Sequence, residues 1–82
     1  MKITAAITKE QGVTFTVILV KTGVISSSNR EQVRTSAPSN FPRPIILAEQ
    51  SHGKMKYHGR TDIVRFLSNV PYQASPWKDY TL

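Results

Sequence analysis

The chain has 82 residues, 39% of them hydrophobic and 20% charged, which bounds it to one globular domain and excludes an intrinsically disordered polymer. It has no cysteine, so disulfides, thiolate zinc sites, iron–sulfur clusters, CxxC redox chemistry and a cysteine nucleophile are excluded together, and a cytoplasmic setting is expected. Eleven Lys and Arg against five Asp and Glu give a net charge of +6, which attracts nucleic acid, anionic lipid or an acidic protein.

The basic residues are scattered along the chain and form no tail, so a merely solubilising role competes with anion binding. Met1–Lys9 is broken by threonines and lacks the apolar core of a signal peptide. The longest apolar run, Val17–Val20, is far too short to span a bilayer.

Residues 2–8 and 13–21 alternate as two strands of a hairpin, joined by a polar link in which Gly12 is free to take positive φ. The second is expected to be a central strand, with Val13, Phe15, Val17 and Leu19 on one face and Thr14, Thr16, Ile18 and Val20 on the other. Ala5 and Ala6 in the first leave room for something bulky above them. Val24 and Ile25 extend the second strand past a bulge at Gly23.

Ser28 and Glu31 have the spacing of a capping box, which predicts a short helix over about 29–36, with a loop as the alternative because Val33 and Ala37 are its only apolar residues. Ala37–Pro44 carries three prolines and reads as an irregular connector with Phe41 as its anchor; a cis bond before Pro42 or Pro44 is left open, though the low frequency of cis X-Pro bonds argues against assuming one. Ile45–Ala48 has the look of a strand buried on both faces, and Ser51-His52-Gly53 turns it back. In Lys54–His58, Met55 and Tyr57 face the core while Lys54, Lys56 and His58 face water.

The main helix is predicted over 61–70, with Thr61 as N-cap, Asp62 in the first turn, and Ile63, Val64, Leu67 and Val70 on one face. Pro71 stops it. Residues 71–82 form an aromatic tail with too much proline for a helix or a central strand, and Trp77 is expected to wrap it back onto the core.

One arrangement carries chemistry. Lys54, Lys56 and His58 lead through Gly59 into Arg60 and Thr61 at a helix start, where free backbone N–H groups would meet a phosphate, with Arg65 and Lys78 in support. Thr61 is equally explained as a cap, and Lys-x-Lys as edge protection. His52 and His58 lack a third ligand at metal spacing, so no metal site is expected. Gly-rich phosphate loops, nucleophile elbows and paired acids do not occur, so neither an enzyme nor a cofactor is expected. Tyr72, Trp77 and Tyr80 are the alternative: an aromatic surface for a protein partner.

Through Pro44–Ala48 with Glu49 and Gln50, then Tyr57–Leu67, then Pro76–Leu82, the chain resembles a family of small uncharacterised bacterial, chiefly cyanobacterial, proteins. That resemblance implies no activity. A second resemblance, over Pro44–Val70, is to the second half of thioredoxin-like folds, where a proline precedes a strand hairpin and a helix. Without cysteines it implies topology and no redox function.

The expectation is therefore a single α+β domain over 1–82, order ββαββα, with a four-stranded mixed or antiparallel sheet and the 61–70 helix on one face. Its expected role is a non-enzymatic binding module for an anionic partner, nucleic acid or acidic protein.

Overall fold

The computed structural model describes residues 2–10 and 12–81. Among them the chain forms β1 (Lys2–Glu10), β2 (Val13–Val20), α1 (Arg30–Thr35), β3 (Ile45–Ser51), β4 (Lys54–His58), α2 (Thr61–Ser68), a 3-10 turn (Tyr72–Ala74) and β5 (Trp77–Thr81). The five strands make one sheet in the order β4-β3-β2-β1-β5. Only β2 and β3 pair in parallel. None of the described helices is long and apolar enough to cross a membrane.

The α+β class, the mixed sheet and the central place of β2 follow the expectation. A fifth strand corrects the four-stranded ββαββα order. Residues 77–81 pair antiparallel with β1, Ala6 opposite Trp77 and Lys2 opposite Thr81. Pro71 and Pro76 lie just before this stretch, and an edge strand needs backbone partners on one side only, so proline nearby does not forbid it.

Each face of the sheet is covered. On one side α2 buries Ile63 and Leu67 against Ala6, Phe15, Val17, Ile46 and Ala48, with Met55, Tyr57 and Trp77 at the margin. Burying Ile63 and Leu67 stabilises the fold by about 1.5–3 kcal/mol each. On the other side the β2–β3 crossover, residues 21–44, lays Ile25 and Phe41 over Ala5, Ile18, Ile45 and Leu47. The two alanines of β1 are fully buried, each under an aromatic group from elsewhere in the chain: Trp77 on the α2 side, Phe41 and Tyr80 on the crossover side. Leu19, expected to be covered, is 38% exposed.

Polar side chains seat the crossover. Thr16 is fully buried, and its hydroxyl donates to the Pro42 carbonyl at 2.8 Å. Glu49, 1% exposed, accepts through Oε1 from the Gly23 and Ile25 amides at 2.9 and 3.1 Å. Those bonds fold residues 23–25 into a turn, which corrects the expected strand extension at Val24–Ile25. The Arg43 guanidinium donates to the Ala37, Pro38 and Phe41 carbonyls. The Arg43–Pro44 peptide is cis, the alternative that the sequence left open without assuming it.

The helix starts differ from the expected caps. Arg60, not Thr61, is the N-cap of α2, and Thr61 is its first helical residue. Asp62 accepts from the Ile63 amide. At α1, Asn29 is the N-cap without a side-chain bond, and Glu31 turns away from the supposed capping box. The β3–β4 turn has positive φ at both His52 (52°) and Gly53 (75°), the pattern that matches the twist of the strands it joins.

Candidate anion-binding surface

The predicted cluster does not stay together. Lys54 and Lys56 lie exposed on β4, opposite Ser51 and Glu49, on the crossover side of the sheet. His58 shares their face, but Nε2 lies 2.5 Å from Glu31 Oε2. Glu31 also takes the Arg34 guanidinium, and Arg34 donates to the Ile45 carbonyl at 3.3 Å. This Arg34–Glu31–His58 chain ties α1 to β3 and β4. The Arg34 hydrogen bond, followed by that of His58, holds the Glu31 carboxyl down at about 2.

Arg60, Thr61 and Arg65 belong to the α2 side. Arg60 pairs with Asp62 at 2.9 Å, and both arginines line a shallow cleft with Glu10, Phe15 and Phe66. Lys78 shares the crossover side with Lys54 and Lys56 but sits on β5, at the opposite edge of the five-stranded sheet.

The aromatic alternative is used internally. Trp77 donates from Nε1 to the Tyr72 carbonyl at 2.7 Å and packs on the α2-side core. Tyr80 meets Phe41 edge to face, with ring centroids 5.1 Å apart. All three aromatic side chains are half-buried.

Strand alternation sorts the charges by side. Glu10, Asp62 and Asp79 share the α2 side with Lys2, Arg60 and Arg65, so this side is balanced. Local pairing there is dense: Asp79 accepts from the Thr4 hydroxyl at 2.6 Å and lies 3.6 Å from Lys2, contacts that hold its carboxyl below the usual range.

Seven further bases lie on the crossover side, Lys9, Arg30, Arg34, Arg43, Lys54, Lys56 and Lys78, and Lys21 stands just past the end of β2, on neither face. Only two acids accompany them. Glu49 is buried and Glu31 is bound by Arg34 and His58, so a formal charge of +5 falls on this side without a free carboxylate among the described residues. Arg30, Arg34 and Arg43 spend donors on backbone carbonyls. Lys9, Lys54, Lys56 and Lys78 on this side, and Lys21 beyond the end of β2, have no side-chain partner among the described residues.

Of the residues singled out from the sequence, Lys54, Lys56 and Lys78 share the crossover side, where Lys9 joins them and Glu31 neutralises Arg34 and His58, neither of which the sequence singled out for the site. Residue spacing offers no sign of that role, because Glu31 and His58 are 27 positions apart and meet only through the crossover. Among the described residues there is no group of three His, Cys, Asp or Glu side chains placed to hold a metal ion. No family model, curated protein or solved structure matches the chain.

Proposed function

We propose that the protein is a non-enzymatic binding module that engages a polyanion, with nucleic acid as the partner, through its crossover side. The observation that carries this is the division of charge: a balanced α2 side and a crossover side bearing +5 of the formal +6. A merely solubilising charge has no reason to collect on one side of a sheet, whereas phosphate neutralisation does. The molecule measures 30 × 29 × 21 Å, so its broad side matches the length of a short stretch of nucleic-acid backbone. Lysines without fixed partners are suited to backbone phosphates and carry little sequence preference.

An acidic protein is the second partner class for the same surface. The aromatic surface of Tyr72, Trp77 and Tyr80 gains no support, since Trp77 and Tyr80, two of its three rings, are packed within the fold. The cysteine-free composition supports a cytoplasmic setting.

Titration with a short oligonucleotide at several salt concentrations tests the proposal. Affinity should fall steeply with salt. Lys54→Ala/Lys56→Ala should reduce the log–log slope by roughly 1.5, since each neutralised phosphate contributes about 0.7–0.9. Arg65→Ala on the balanced side should change little. Equal salt slopes for the parent and the lysine double variant would refute the assigned surface.

A further inference from the structure

We infer that the groove between α1 and the sheet binds a small amphipathic acid: one carboxylate on an apolar body, of the class of medium-chain fatty acids. The groove is open to solvent along one side and offers about 780 Å³, a size ordinary for small-molecule sites. Ile18 and Leu47 of the sheet and Val24, Val33 and Ala37 of the crossover supply its apolar lining. It opens where β2 ends and the crossover departs, at the carboxyl end of the parallel pair, the place where open α/β sheets receive ligands.

Two observations point to a ligand. The first is unfilled packing. Helix α1 buries none of its residues, and Val33, its only aliphatic side chain, is 36% exposed although apolar sheet residues line the same groove. Protein interiors otherwise close such spaces to crystal-like density. The second is the charge at the mouth. Lys2 and Lys21 line the groove, and no carboxylate does among the described residues. Lys2 lies 3.6 Å from Asp79, but Lys21 is exposed and has no side-chain partner among the described residues. An apolar body held on the lining would set its carboxylate against Lys21, with the side-chain amide of Gln32 nearby on the rim as a donor.

This inference does not rest on the polyanion proposal, because its ligand carries a single charge and its apolar contacts are absent from a phosphate backbone. The test titrates the ¹⁵N-labelled full chain with decanoate below its micelle concentration, beside decanol. Decanoate should give saturable shifts confined to residues 2–4, 18–38 and Leu47. Val33→Asp should weaken it by at least about tenfold, equivalent to about 1.4 kcal/mol. Lys21→Ala should weaken decanoate by about fivefold, as expected for an exposed ion pair, and leave decanol unchanged. Both positions are exposed, and Lys21→Ala keeps the test intact should Val33→Asp fold poorly. Absence of saturable shifts, shifts centred on α2, or decanoate affinity equal to the parent's in the Lys21→Ala variant would overturn the assignment.

Discussion

Glu49 offers the sharpest test of how the crossover is held to the sheet. Its carboxylate is 1% exposed and accepts two backbone amides, those of Gly23 and Ile25, through one oxygen. Truncation in Glu49→Ala removes two charge-assisted bonds, each worth about 1.5–3 kcal/mol, and leaves the buried Ile25 amide without an acceptor. Relief of the carboxylate's own desolvation offsets part of this, so the net loss should be about 2–4 kcal/mol. Against a total of roughly 4–12 kcal/mol for a domain of this size, that is a large fraction. Glu49→Gln keeps an acceptor at the same place and should lose about half as much. In urea denaturation, with a slope near 1 kcal/mol per molar, the Glu49→Ala midpoint should fall by about 2 M or more. Amide exchange at Gly23 and Ile25 should accelerate in the same variant. A midpoint unchanged within experimental scatter, or undiminished protection at those two amides, would refute the claim that Glu49 anchors the crossover.

Gly59→Ala should destabilise by about 2–4 kcal/mol in the same assay, because a Cβ there would lie 2.5 Å from Ile46 Cδ1 and 3.1 Å from the Ile45 carbonyl, at a φ of 154°. A loss below about 0.5 kcal/mol would mean that the β4–α2 link does not need this close approach. The Glu31 carboxyl, held at about 2 instead of 4.5, favours the folded state once ionised. Its stabilisation is therefore complete above about pH 4.5 and disappears as pH falls toward 2. Asp79 acts in the same sense through Thr4 and Lys2, so Glu31→Gln should flatten the acid limb of stability against pH only in part. Identical acid limbs for the parent and Glu31→Gln would remove the Arg34–Glu31–His58 chain from the forces that hold α1.

Local patterning determined most of the elements. Alternation in β2 and β4, the apolar stripe of α2 and the turn at His52–Gly53 are short-range properties, and a strand or helix needs little else to be recognised. Helix α2 runs over Thr61–Ser68, two residues short of the expected end, because the Asn69 and Val70 amides bond to Phe66 and Leu67 in a tighter final turn. The aromatic tail was legible as something that folds back, but its pairing as an edge strand depends on a free side of β1, which only the assembled sheet provides.

The site was less legible because it is a sum over distant residues. Sequence spacing put Lys54, Lys56, His58 and Arg60 in one line, yet the sheet separates them: His58 is taken by Glu31 from across the crossover, and Arg60 turns to Asp62 on the other side. Composition alone determined that the domain is basic, cysteine-free and small. That most of the charge lies on one side, and that a groove stays open beneath α1, was decided by tertiary structure, because both follow from which strands become neighbours and which face the crossover covers.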